Sequence, residues 1–256
     1  MSVSDRRAEV RRPGISVLLA ILSFAALGTL LALGTWQVQR LHWKEDLIAT
    51  IDARITSEPR SLADVQMRLT TTGDVDYWPV TVSGEFRHEG ERHFFATHQG
   101  QSGYYVYTPL QIDNGRFILV NRGFVPFELK EQETRSEGQV AGRQTITGLA
   151  RNRLDAKPSL IVPDNDPAKN IFYWKDLDVM AATSGVGDGE AYLPFFIDAN
   201  DAPNPGGLPV GGVTLIDLPN NHLQYAVTWY GLAAALVAVL GAWLLRQRRT
   251  RVADAG

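Results

Sequence analysis

A chain of 256 residues without cysteine holds no disulfide framework, no thiolate metal site, no CxxC copper centre and no covalently attached haem. Three methionines do not build a thioether copper site. The formal charge of −3 is unevenly spread: eight of the 25 Lys and Arg residues lie in the two tails, so residues 37–224 carry 17 against 25 acidic groups, about −8, with no electrostatic footprint for nucleic acid.

The first fourteen residues set Arg6, Arg7, Arg11 and Arg12 against Asp5 and Glu9. Ile15 to Leu33 is then free of charge, and apolar character continues to Trp36 before Arg40 ends it. That length crosses a ~30 Å hydrocarbon core as a helix. The run exceeds the roughly 7–15 apolar residues of a signal peptide and no A-x-A-like site follows it, so an uncleaved anchor is expected. The arginine pairs lack the rest of a twin-arginine signal. Trp43–Ile55 places Leu47, Ile48, Ile51 and Ile55 on one face, which predicts a short amphipathic helix beyond the span. Ser61–Leu69 is a second helix candidate with Ser61 as its cap.

From Pro79 the period becomes two: Val80, Val82 and Phe86 alternate with polar residues and Gly84. Tyr104–Leu110 and Phe117–Val120 are β-branched or aromatic runs on either side of Asp113-Asn114-Gly115, a hairpin signal. Gln144–Leu149 and Phe195–Asp198 predict further strands, and Ile171–Ala182 a helix or helical turn. Asp198–Gly212, rich in Gly and Pro, reads as a loop without a core of its own. The expected fold is a mainly antiparallel β domain (α+β), for which barrel-like closure is one form.

The last apolar run, Ala226–Leu245, also lacks charge and is followed at once by Arg246, Arg248, Arg249 and Arg251. Tyr225, Trp229 and Tyr230 lie at its other end, where aromatic rings belong at headgroup level. Basic residues outside both spans predict cytoplasmic termini. The expected layout is a cytoplasmic tail (1–14), span (15–36), extracytoplasmic β-rich domain (37–224), span (225–245) and cytoplasmic tail (246–256), in a bacterial inner membrane. Gly231/Ala235, Ala234/Ala238 and Ala238/Ala242 give small-xxx-small spacings suited to packing against the Gly28-bearing first span or a partner helix.

Few residues suggest chemistry. His88 and His93 bracket a charged Glu-Gly-Glu-Arg segment and read as an exposed hairpin end rather than metal ligands; His42 and His98 are isolated. No serine occupies a G-x-S-x-G elbow, and Gly185-Val-Gly-Asp-Gly lacks the Lys and Ser/Thr of a phosphate loop, leaving a flexible loop. Nothing specifies an enzyme. His222 stands apart, at the mouth of the second span. A neutral imidazole is a good iron ligand, and haem needs an aromatic, apolar slot beside it. Tyr225, Trp229 and Tyr230 share the face of His222 if the helix already includes it. The other use of His222 is to cap the helix start or bond the adjacent domain.

Four blocks resemble the Surfeit locus family of cytochrome c oxidase assembly factors. They are Leu33-Gly-Thr-Trp-Gln-Val-Gln-Arg-Leu-His-Trp-Lys after the first span; Tyr77-Trp-Pro-Val-Thr-Val-Ser-Gly-Glu-Phe; Gly103-Tyr-Tyr-Val-Tyr-Thr-Pro-Leu leading to Ile118-Leu-Val-Asn-Arg-Gly-Phe-Val-Pro; and Asn221-His-Leu-Gln-Tyr-Ala-Val-Thr-Trp-Tyr. Residues 128–167 carry little of the resemblance. It implies a non-enzymatic biogenesis factor acting while haem a enters subunit I of a haem-copper oxidase of aa3 type. The implied partners are subunit I, haem a synthase and the lipid bilayer, with no nucleic acid. It also implies haem a as cofactor and His222 as its axial ligand. Tyr225, Trp229 and Tyr230 lie beside that ligand. Arg122 pairs either with a core carboxylate or with a haem propionate, and Arg40 either snorkels or locks the domain. A scaffold that holds subunit I without cofactor, and a membrane-anchored extracytoplasmic enzyme, are the other readings.

Overall fold

The computed structural model describes residues 13–214 and 218–253. The basic residues expected to hold the N-terminal tail in the cytoplasm lie outside them. The chain divides into two compact units: residues through Ala49 together with those from Asp217 onward, and Thr50–Ile216.

The first unit is a pair of long helices, α1 (Pro13–Ile55) as far as Ala49 and α4 (His222–Ala253). Both are long and apolar enough to cross a membrane. Val17, Leu18, Leu19, Ile21, Leu22 and Phe24 on α1 leave more than half their surface open, as do Val227, Val237, Val239, Leu244 and Leu245 on α4. Aliphatic side chains exposed all round a helix belong in lipid. The amphipathic segment Trp43–Ile55 is not separate, as the charge at Arg40 suggests; α1 runs through it unbroken. No Gly or Pro occurs between Thr35 and Ile55, so nothing stops a helix already nucleated. α4 starts at His222 rather than at Tyr225, because the Tyr225 amide already bonds the Asn221 carbonyl at 3.3 Å.

The two helices meet along a narrow seam: Gly34 and Gln37 on α1, Ala226 and Ala233 on α4 are buried, with His222 and Trp229 half-buried beside them. The small-residue stripe is not in it. Gly231, Ala234, Ala235, Ala238 and Ala242 are exposed, and a Cβ at Gly28 or Gly231 would meet nothing within 4 Å. The three-and-four spacing of 222, 226, 229 and 233 turns the stripe outward.

The second unit is a β barrel. Its elements are β1 (Arg60–Ser61), α2 (Leu62–Thr72), β2 (Pro79–Phe86), β3 (Arg92–His98), β4 (Gln101–Gln111), β5 (Phe117–Pro126), β6 (Arg143–Asn152), α3 (Leu177–Thr183) and β7 (Tyr192–Ala199). The sheet order is β1-β2-β6-β7-β5-β4-β3, and β2 also pairs with β4, which closes a ring of five strands, β2-β6-β7-β5-β4. All pairs in the ring are antiparallel except β5–β7. β2, β4 and β5 lie side by side, with β3 set outside the ring between β2 and β4 in the chain, and β6 returns beside β2 in Greek-key fashion; β7 closes the ring. The β4–β5 hairpin turns at Asp113-Asn114-Gly115, where Asn114 (φ 68°) and Gly115 (φ 70°) supply the left-handed backbone that the turn needs.

Val80, Val82, Phe86, Leu110, Ile118, Val120, Ala150, Phe195 and Ile197 fill the barrel interior. α2 plugs it with fully buried Val65, its first turn capped by the Ser61 hydroxyl, which accepts from the Asp64 amide at 3.2 Å. A second core lies outside the sheet, where Tyr107, Phe117, Leu119, Tyr192 and Phe196 are covered by Phe172, Leu177, Met180 and Val186 from the β6–β7 connection. Both faces of β5 are therefore buried, and its unalternating Phe-Ile-Leu-Val run follows. The helix expected over 171–182 is shorter. Asp176 caps α3 by accepting from the Val179 amide at 3.1 Å, while Phe172 bridges β3 as extended chain. The glycine-rich loop is tied down: buried Ser184 takes the Val186 amide at 3.1 Å and meets the Tyr192 hydroxyl at 2.9 Å.

Candidate functional site

His222 is the first residue of α4 and is half-buried. Its Nδ1 lies 2.7 Å from Oε1 of Gln37 on α1, and its backbone N–H points to the Asn220 side-chain oxygen at 3.5 Å. Gln37 is only 8% exposed. Tyr225 and Trp229 follow His222 at helical spacing, the first exposed and the second half-buried. Tyr230 has a different occupation: its hydroxyl lies 3.1 Å from that of Thr35, and its ring would be 2.9 Å from a Cβ at Gly34. It clamps α4 on α1 where α1 has no side chain. Arg40 stacks its guanidinium 3.7 Å over the Trp43 ring on the same helix.

The structure therefore brings His222, Tyr225, Trp229 and Tyr230 together on one helix end and adds Gln37, which sequence reasoning passed over. Its place in the first-span block was visible, but an amide in such a run gives no sign of its partner 185 positions away. The donor set suits a single-histidine iron porphyrin contact: one imidazole, aromatic rings and lipid-facing aliphatic surface. His42, exposed on α1, is the only other histidine among the described residues of this unit. No cluster of three or more His, Cys, Asp or Glu side chains suited to a metal ion occurs among the described residues.

Arg122 belongs to the barrel unit, where it is 3% exposed. Its Nη1 lies 3.7 Å from Glu91, and its Nη2 donates to the Gly138 carbonyl and, at 3.3 Å, to Asn204. Burial brings the guanidinium pKa down to about 10, against the pull of the Glu91 carboxylate. Its neighbours on β5 are equally committed. Asn121 donates to Asp198 at 3.0 Å and accepts from the Gly123 amide at 3.1 Å. Gly123, at φ 130°, runs against the Val210 carbonyl, leaving no room for a Cβ.

Glu91 is the centre of a charged cluster that the sequence conceals. The Glu-Gly-Glu-Arg segment is not an exposed hairpin end: Glu91 is 1% and His93 3% exposed. Both guanidinium ends of Arg135 bond the two Glu91 oxygens. His93 Nε2 stands 3.6 Å from Glu91, while its Nδ1 takes the Asn170 amide at 3.0 Å. His88 donates from Nε2 to the Val140 carbonyl at 3.0 Å. Burial alone would raise the Glu91 pKa. The close polar contacts of His88 (3.9 Å) and His93 (3.6 Å) and the hydrogen bonds and charge of Arg135 override it and hold the carboxyl well below its usual range.

The SURF1 family model matches residues 24–234, which include Gln37, Arg122 and His222–Tyr230. Surfeit locus protein 1 of Rattus norvegicus is 42% identical over 224 residues, covering 81% of this chain and 69% of that protein. The Homo sapiens Surfeit locus protein 1 is 40% identical over 224 residues, covering 81% and 71%. A SURF1-like protein of Monosiga brevicollis is 34% identical over 262 residues, 97% of this chain and 94% of that protein. With a family match over most of its length and relatives at these identities, the chain belongs to the SURF1 family.

Proposed function

We propose that this chain is an assembly factor for haem-copper (aa3-type) cytochrome c oxidase that receives haem a as cargo at His222 and assists its insertion into subunit I. The observation that carries the reading is a half-buried imidazole at the start of an apolar helix, held by Gln37, with Tyr225 and Trp229 beside it. Haem a is hydrophobic, so a protein that passes it between membrane partners needs its iron ligand where chain meets lipid. Haem a synthase as donor and subunit I as acceptor fit that position. So does a bacterial inner membrane, with the barrel unit on the periplasmic side and both termini in the cytoplasm. Arg122 is left out of the contact, since its charge faces Glu91. Tyr230 serves the helix pair.

The test is to co-express the full chain with a haem a synthesis system, purify it and record its absorption spectrum. A Soret band that disappears in His222→Ala is the expected outcome. A colourless wild type from haem-replete cells, with oxidase assembly intact in His222→Ala, would assign the protein to a scaffold role without cofactor.

A further inference from the structure

Gln37 is the one buried polar side chain of the helix unit among the described residues. A buried amide oxygen needs a donor, and here the donor is Nδ1 of His222, 2.7 Å away. An oxygen cannot donate, so the proton of this contact sits on Nδ1. A neutral imidazole has one N–H, which leaves the lone pair on Nε2, and no hydrogen bond of Nε2 is found among the described residues. The contact is also registered by its surroundings. One turn along α1, Gly34 and Thr35 hold Tyr230 of α4, and the Asn220 side chain receives the His222 backbone N–H.

We propose that Gln37 is a positioning residue: it holds His222 in the Nδ1–H tautomer and so presents Nε2 as the one atom open to iron. The purpose of this arrangement rests on the haem a reading, but the tautomer is a property of the protein without haem. The chemistry of the partner is informative as well. Histidines that bind metals commonly donate their second N–H to a carboxylate or a carbonyl, which fixes the ring and raises its basicity. A neutral amide fixes the ring with a weaker push than a carboxylate gives, which suits a ligand that must let its cargo go.

The experiment uses the full chain in lipid nanodiscs, with 15N-labelled histidine, at about pH 8.5, above the ordinary imidazole range. His222→Ala identifies the His222 signals among the five histidines. The expected wild-type pattern is a protonated Nδ1 and a bare Nε2; Gln37→Leu should lose it and Gln37→Glu should keep it. Titration with ferric protoporphyrin IX should then show affinity about 10- to 100-fold lower in Gln37→Leu. Gln37→Glu should equal or exceed the wild type and release the porphyrin more slowly. A wild-type His222 protonated on Nε2, with the Gln37 amide turned to offer its NH2, overturns the proposal. So does a Gln37→Leu spectrum that matches the wild type. A wild type that shows the expected tautomer yet takes up no haem a defeats the cargo reading and leaves the role of Gln37 standing.

Discussion

Removing the carboxylate of Glu91 would leave the guanidinium groups of Arg122 and Arg135 together in the protein interior without an anion. Breaking a buried ion pair from one side costs about 3–5 kcal/mol, because the remaining charge stays desolvated. Glu91→Gln keeps the shape and removes the charge, so a loss of that size is expected in denaturant unfolding of the full chain. Acid should weaken the same cluster in two steps. Burial lowers the His93 pKa in spite of Glu91, so the folded state favours the neutral ring. Its contribution is complete above the ordinary value of 6.5 and is lost as pH falls from there through the folded value. The depressed Glu91 pKa adds stability that is complete above the ordinary 4.5 and is lost at lower pH. Melting temperatures should therefore fall from about pH 6.5 downward, and His93→Gln should remove the first step only. The segment around Glu91 looks solvated in sequence because its neighbours are charged. Its burial depends on Arg135, 44 positions later, and local composition holds no record of that.

At the level of single elements, the α1–α4 seam depends on one missing side chain. A Cβ at Gly34 would sit 2.9–3.1 Å from the Tyr230 ring, whereas one at Gly28, two turns earlier on the same helix, would meet nothing. Gly34→Ala should displace Tyr230, break its contact with Thr35 and cost about 1–2 kcal/mol. Gly28→Ala should leave stability unchanged or slightly raised, since Ala is the better helix former. Melting in detergent followed by tryptophan fluorescence separates the two; equal effects would remove the seam from the account. Of the two uses the spacing offered for the small residues on α4, packing against the first span is not the one found. Spacing alone finds a stripe of small residues; it does not find which face turns to the neighbour. β5 is a like case. The Asn-Arg-Gly triplet is visible as a motif, yet each member faces a partner from a distant segment: Asp198, Glu91 and the Val210 carbonyl.

For the molecule as a whole, the absence of cysteine makes orientation directly testable. Single cysteines placed at Ser2, at Ala255 and at exposed Glu133 on the barrel unit can be labelled in intact cells with a membrane-impermeant maleimide. Positive charge outside both spans predicts labelling at 133 alone until the membrane is permeabilised. Labelling at 2 or 255 in intact cells would reverse the proposed topology and move His222 to the other membrane face. The acidic balance of residues 37–224 gives that stretch no net electrostatic attraction to anionic headgroups.

Two helices built to cross a membrane, a mainly antiparallel β unit between them and a histidine at the mouth of the second helix are all determined by residue order alone. Charge-free length, period-two alternation and turn residues act between neighbours in the chain, so they are written locally. The closure of β2 on β4, the outer core laid over β5 and β7, the burial of Glu91 and the contact between His222 and Gln37 were decided only by tertiary structure. Each joins groups tens to hundreds of positions apart. Whether such a group lies in water or in the interior is settled by what packs against it.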